Sequence, residues 1–366
     1  MLKNSPTNKL LLFNIIALMS FGFFIFLSAS LGLLAKSGAK YSSIVLNQIF
    51  FGIIAGGIIV YINSIIPYKF WKMVSFWLFI SAWLLTLLVF VPQIGLEVSG
   101  AKRWLLLGPI SFQPSEFLKI AYVIYLAVWL SVAREKIRTF QYGTLPFIIL
   151  TILSTGLLFF QPDNDTALVM LITGGIMYFV AGANLKHILP VAILIIIAFS
   201  VVLISRPYVV ERLKTFIDPS ADISSTGYQV DQSLIAIGSG GFFGRGFGQS
   251  LQKFDLLPEP IGDSIFAVAG EEFGFLGGIF IILLFVTLLI QTTRLSILSK
   301  DTFGGLLMLG FGILIVTQSF INIASMLGVF PLSGLPLLFI SHGGTALFFT
   351  LFASGIMLNI SRFNNQ

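Results

Sequence analysis

The 366-residue chain has no cysteine and only two histidines, His187 and His342. The first absence excludes a disulfide framework and any thiolate metal centre. The second excludes a multi-histidine metal site. Charge is scarce too: Asp, Glu, Lys and Arg together make up 10% of the residues, where a soluble domain carries about a quarter. The glycine-rich stretch GSGGFFGRGFG at 238–248 has no Gly-Lys-Ser/Thr after it, so it is not a nucleotide-binding P-loop. No repeat of fixed period and no soluble domain interrupt the chain, which reads as one membrane domain over 1–366.

What the chain does have is hydrocarbon: 57% of its residues are hydrophobic. A span needs about 20 apolar residues. By that rule ten fall near 10–34, 44–66, 72–91, 115–133, 145–160, 165–182, 187–205, 263–291, 303–327 and 335–360. The expected fold is therefore an all-α polytopic integral membrane protein, because a backbone in lipid must satisfy its own hydrogen bonds. The first run is too long for a signal-peptide core and lacks a clear cleavage site, so it reads as a retained helix.

The net charge of +6 invites a nucleic-acid partner, which the distribution argues against. The cations sit in small clusters between apolar spans, as topology requires. With the N-terminus in the cytoplasm, Lys3, Lys9, Lys69, Lys72, Arg134, Lys136, Arg138, Lys186, Arg294, Lys300 and Arg362 face inward, and only Glu135 and Asp301 join them as acids. An even span count then puts the C-terminus inside as well. Two outer loops are long, about 92–114 and about 206–262, the second lying between spans seven and eight. Loops of that length are functional or disordered. In the first, Lys102, Arg103 and Trp104 predict a segment lying in the membrane interface, its cations facing headgroups.

The residues best placed for chemistry gather between Gly227 and Phe275, where Asp231, Asp255, Glu259, Asp263, Glu271 and Glu272 stand among glycines and apolar residues. Ionisable groups at the mouth of a membrane segment are costly and mark function. Asp263 follows Pro258, Pro260 and Gly262, so it sits at the start of the eighth span. There it can serve as a helix N-cap or, partly desolvated, as a general base with a raised pKa. Glu271 and Glu272, two turns further on, fit either a structural ion pair or a substrate contact. Glu116 and Lys119 are three apart at the start of the fourth span and share a face; they fit an intrahelical pair or an anion contact. Asp163 and Asp165 occupy the tight turn Gln161-Pro162-Asp163-Asn164-Asp165-Thr166, where turn and capping chemistry accounts for Asp165 better than for Asp163. Arg212, Lys214 and Arg245 neighbour the glycine-rich stretch, whose backbone N–H groups suit phosphate oxygens. Outside the cytoplasm, a phosphate-bearing lipid is the natural ligand.

At this point the chain resembles a known family. The stretches SGAKRWLLLGPISFQPSEFLKI at 99–120, QPDNDTALVM at 161–170, ERLKTFIDPSAD at 211–222, GYQVDQSLIAIGSGGFFGRGFG at 227–248, LLPEPIGDSIFAVAGEEFGFLGG at 256–278, FPLSGLPLLFISHGG at 330–344 and GIMLNISR at 355–362 match the SEDS (shape, elongation, division and sporulation) family in order and spacing. The resemblance implies a peptidoglycan glycosyltransferase of the cytoplasmic membrane. Such an enzyme polymerises lipid II, with a polyprenyl pyrophosphate-linked glycan as donor, beside a class B penicillin-binding protein. It implies Asp263 as the essential aspartate, with Arg103, Trp104, Glu116, Lys119 and Asp163 supporting it; Arg212, Gln232, Ser233, Arg245 and Glu259 join these as candidate substrate contacts. No cofactor is firmly implied, and there is room for a divalent cation, magnesium or manganese. The tail GIMLNISR and the segment VPQIGLEVSGAKRW resemble the division and sporulation branch. A lipid II flippase and a non-catalytic scaffold for the transpeptidase are the competing expectations.

The chain departs from the family's pattern at three places. Ile261-Gly262 stands where the family has His-Thr before the aspartate. Asp165 replaces a glycine in the Pro-Asp turn. His342 replaces a tyrosine before a Gly-Gly pair.

Overall fold

A computed structural model describes residues 7–364 except 37, 93, 99–100, 108–109, 134–135, 185, 188–206, 219–225 and 255. The helices are α1 (Lys9–Lys36), α2 (Gly38–Asn47), α3 (Gly56–Ile65), α4 (Lys69–Leu88), α5 (Pro114–Val132), α6 (Leu145–Phe160), α7 (Asn164–Val180), α8 (Pro207–Ile217), α9 (Thr226–Ser239), α10 (Ile265–Ile297), α11 (Thr302–Met326) and α12 (Gly344–Asn364). Single π-helical stretches, Gln48–Ala55 and Phe140–Thr144, lead into α3 and α6.

Among the described residues, eight helical runs are long and apolar enough to cross a membrane. They match eight of the ten expected spans. The sixth, Asn164–Val180, is apolar but shorter, and the seventh, near 187–205, lies almost wholly outside the described residues. α11 and α12 form the centre of the bundle and are largely buried, while α3, α4 and α10 turn apolar side chains outward. That inversion is what a lipid solvent permits.

Two features differ from the helical expectation. The segment 95–112 is a three-stranded antiparallel sheet, β1 (Gly95–Val98), β2 (Ala101–Leu107) and β3 (Ile110–Phe112), in the order β1-β2-β3. Its β2 alternates: Leu105 is buried against the bundle, while Lys102 and Leu106 are exposed. A period of two suits a sheet packed on one face. Second, the expected outer loop 206–262 is in good part helical, carrying α8 and α9.

Both termini lie at one end. Asn8 N–H donates to Ser361 Oγ, and Arg362 Nε to Thr7 Oγ1. The 64–68 turn joins them through Asn359 and Arg362, and Asp301 through Tyr68. This is the geometry an even number of crossings requires.

α10 has 33 residues, roughly 50 Å of helix, too long for one hydrocarbon crossing of about 30 Å. It is broken at Gly274, whose φ of 65° and ψ of −162° are open to glycine alone. The glycine-rich stretch runs along the break. Arg245 and Gly246 N–H groups donate to the carbonyls of Glu271 and Glu272, and Phe275 and Leu276 N–H groups donate to Gly241 and Phe242. A Cβ on Gly244 or Gly274 would collide with the opposing backbone. Glycine serves close backbone approach here.

Candidate active site

The turn 258–264 carries Asp263 to the end of the bundle away from the termini. Four contacts hold it. Asn322 of α11 donates to the Asp263 carbonyl at 2.8 Å and to Leu335 at 2.8 Å. Ser341 Oγ donates to the Gly262 carbonyl at 2.7 Å, His342 N–H to that of Ile261 at 2.7 Å, and Gln229 of α9 to Ser264 Oγ at 2.9 Å. The N-cap position of α10 falls to Ser264, so Asp263 stands ahead of the helix and is not its cap.

The Asp263 carboxyl is pushed up to about 6. Burial is the main cause; the neighbouring carboxylates of Glu259 and Asp165 add to it, while a backbone N–H and the Arg212 guanidinium pull the other way. A carboxylate with that affinity for protons is suited to remove one from a hydroxyl.

A polar face of α11 builds the floor beneath this turn. Gln318, Asn322 and Ser325 are all fully buried and spaced four and three apart, so they share one side. Gln318 donates to Pro336 and Asn322 to Leu335, and Ser325 Oγ lies within hydrogen-bond distance of Pro331 O and Ser333 Oγ, pinning the segment 331–337 along the helix. Lys119 extends the network: its ammonium lies 2.8 Å from Glu116 and 2.5 Å from Gln318, with both charged residues almost wholly buried. The expected shared face of Glu116 and Lys119 is present, and it points into the bundle.

The other sequence candidates fall into separate places. Arg212 of α8 pairs with Asp165 at 3.2 Å, and Asp165 also accepts from Gly334 N–H at 3.1 Å. Gly334 lies beside the Asp263 carboxylate, so Arg212, Asp165 and Asp263 form one cluster. Asp163 is buried below it with Oδ2 unsatisfied among the described residues. Arg103 donates to the Pro162 carbonyl, tying β2 to the same turn. Trp104 lines a cavity of about 460 Å³ with Ser111, Phe112, His342 and Thr345. Glu259 lines a second, of about 470 Å³, with Tyr228, Lys253, Pro260, Ile261 and His342. Ser233 is fully buried, its hydroxyl bonded to Gln229 O, and Gln232 beside it is half-buried. Arg245 is held at Glu271, 3.6 Å away, two helical turns past Asp263. Asp255 lies outside the described residues.

Glu271 and Glu272 are a structural pair. Glu271 accepts from Ser250 Oγ and from the N–H groups of Leu251 and Gln252. Glu272 accepts from Ser28 Oγ and pairs with the fully buried Lys253 at 2.8 Å. Lys253 was not singled out from the sequence, nor were Asn322 and Gln318. Asp165 read as turn chemistry. Isolated Asn and Gln residues inside a long apolar run carried a signal only in their helical spacing.

Among the described residues no group of three or more acidic or histidine side chains is arranged to hold a metal ion. Glu259 and Asp165 flank Asp263 without converging on it as a chelating set.

Residues 8–366 match the family model for the FtsW, RodA and SpoVE cell cycle proteins. The chain belongs to that family. It is 37% identical over 351 residues to the probable peptidoglycan glycosyltransferase FtsW of Trichlorobacter lovleyi, covering 96% of this chain and 92% of the relative. It is 37% identical to the stage V sporulation protein E of Bacillus subtilis, over 82% of each chain. Its fold is similar to a chain from a peptidoglycan synthase complex solved for the coordination of polymerization and crosslinking, with TM-score 0.81, 26% identity and 98% of each chain covered. The rod shape determining protein RodA of Thermus thermophilus is similar too, with TM-score 0.71, 26% identity and the same coverage. The protein is a multi-pass protein of the cytoplasmic membrane.

Proposed function

We propose that this protein is a peptidoglycan glycosyltransferase that polymerises lipid II at the outer face of the cytoplasmic membrane, with Asp263 as general base. Its relatives of 37% identity carry the glycosyltransferase and sporulation names. The observation that carries the assignment of the base is the carboxyl of Asp263, raised to about 6 on a turn held by α9, α11 and the segment 331–342.

In the step, Asp263 takes the proton of an acceptor sugar hydroxyl as that oxygen attacks the anomeric carbon of the donor. The bond from that carbon to the donor's pyrophosphate breaks, and the lipid pyrophosphate leaves as an anion. One base and one displacement invert the configuration, with no covalent enzyme intermediate. Arg212 is the cation best placed to meet the developing negative charge. Lys119 is committed to Glu116 and Gln318, and Arg245 to Glu271. A divalent cation has no ready-made cage in the acidic residues described, so no step is routed through one.

The site's place at one end of the bundle supports an enzyme over a carrier, whose binding site belongs near the midplane. A class B penicillin-binding protein is the proposed partner, in keeping with the fold's similarity to a chain of a peptidoglycan synthase complex.

The test is polymerisation of labelled lipid II by the purified protein, with and without the transpeptidase, beside Asp263→Asn. Glycan strands from the parent protein and none from the variant are expected. Equal polymer from both would remove Asp263 from the mechanism.

A further inference from the structure

His342 lies at a junction that the mechanism above does not use. It lines both cavities, the one with Trp104, Ser111 and Thr345 and the one with Tyr228, Lys253 and Glu259. It is the residue the two linings share. Its backbone N–H holds the Ile261 carbonyl, two residues from Asp263. Anything that bridges the two chambers beside the Asp263 turn passes this side chain.

The ring is held on two sides. One face stacks on Phe26, with centroids 5.9 Å apart. Nδ1 lies 3.2 Å from Oε1 of Gln48, at the start of the π-helical stretch. Gln48 is buried, and its Nε2 points at the Ser341 carbonyl at 3.5 Å. The Gln48 oxygen is thereby the acceptor, so Nδ1 carries the hydrogen and Nε2 keeps its lone pair. Burial lowers the proton affinity of the imidazole.

A histidine that only filled space beside Phe26 would be served as well by phenylalanine. This one is fixed in one tautomer, with an acceptor nitrogen left over, at the wall between two chambers of similar size. We propose that His342 is a substrate-binding residue whose Nε2 accepts a hydrogen bond from a hydroxyl or amide N–H on the saccharide of the lipid-linked substrate. The proposal rests on the glycosyltransferase reading and names the part of the substrate this position reads. Two of the chain's departures from the family pattern, Ile261-Gly262 and His342, are hydrogen-bonded neighbours here, Ser341 and His342 holding both carbonyls. The turn that lost an imidazole at 261 has one at 342 in direct contact.

The experiment measures binding without turnover. In an Asp263→Asn background, the dissociation constants of labelled lipid II and of a polyprenyl pyrophosphate carrying no sugar are compared with and without His342→Phe, which keeps the ring on Phe26 and removes both nitrogens. A neutral hydrogen bond is worth roughly three- to tenfold in affinity. The expected result is a loss of that size for lipid II and no change for the sugar-free lipid. His342→Gln, which keeps an acceptor, is expected to retain more lipid II affinity than His342→Phe at an equal melting temperature. Unchanged lipid II affinity, a parallel loss for both lipids, or the reverse order of the two variants would overturn the proposal. Absence of glycan polymer from the unsubstituted protein, by contrast, counts against the glycosyltransferase reading and leaves this binding comparison to be scored by itself.

Discussion

Asp263 and the pair Glu271–Glu272 lie on one continuous stretch of chain, all three shielded from water to a large degree, and their surroundings are opposite. Each oxygen-rich end of the pair is met by donors: Ser250, Leu251, Gln252 and Arg245 around Glu271, Ser28 and Lys253 around Glu272. Asp263 has its backbone held and its carboxyl surrounded by other acids, Glu259 and Asp165, with Arg212 as the opposing charge. A carboxylate pair met by a lysine, an arginine, serine hydroxyls and backbone N–H groups fixes the chain where it stands. A carboxyl that burial and then acidic neighbours hold above the usual carboxylate range is ready to take a proton. The difference separates a latch from a base, although the sequence presents both simply as acids near a membrane helix.

The largest expected effect sharpens the base. Asp263→Asn keeps the shape and removes the proton acceptor, and should lower polymerisation at least about a hundredfold. It should leave the fold intact and raise the melting temperature at neutral pH. The folded protein holds the Asp263 proton up to about pH 6, whereas an unfolded aspartate releases it near 4. Stability contributed by that group is therefore present below pH 4 and lost as pH rises to 6, and asparagine escapes the loss.

The next effect tests the latch. Lys253→Met strands Glu272 in the interior, and breaking one partner of a buried pair costs roughly 3–5 kcal/mol. Thermal melts in detergent should show a large drop. The double variant Lys253→Met/Glu272→Gln, which removes both charges, should regain most of it. If Lys253→Met instead abolished turnover with its stability unchanged, the latch would belong to the active site and the contrast would fail.

A smaller effect concerns placement. Asn322→Ala removes the donor to the carbonyls of Asp263 and Leu335 and leaves buried acceptors unpaired, at about 1–3 kcal/mol. Polymerisation should fall about tenfold in kcat, with KM little changed, because the base is displaced and not removed. The smallest shift is in the pH profile. Arg212→Ala lowers the rate by removing the cation that meets the leaving pyrophosphate, and, because the same guanidinium lowers the Asp263 pKa, it should also move the acidic limb of the pH–rate profile slightly upward.

Much of this was legible in residues. Hydrocarbon runs gave the spans because lipid leaves the backbone few alternatives, and the even crossing number agrees with termini that meet at Asn8 and Ser361. Asp263 stood out because proline and glycine break the chain just before it. The sheet over 95–112 was not legible, since a short alternating pattern beside Trp104 also reads as an interfacial segment. α8 and α9 were hidden because polar residues lower the apolar signal that marked the membrane-spanning helices. Gln318 and Asn322 were hidden for the opposite reason: each is one polar residue in a long apolar run, and their purpose shows only when the segment 331–337 lies against them. Asp165 read as a turn residue until Arg212 and Gly334 met it.

The measurement that tests the central claim most directly is the pH dependence of kcat/KM for lipid II polymerisation between pH 5 and 8, within the stable range of the protein. A base of the kind described predicts a rate that falls on acidification through an apparent pKa near 6, with the limb absent from the residual activity of Asp263→Asn. A flat profile across that range, or the same limb in the asparagine variant, would contradict it.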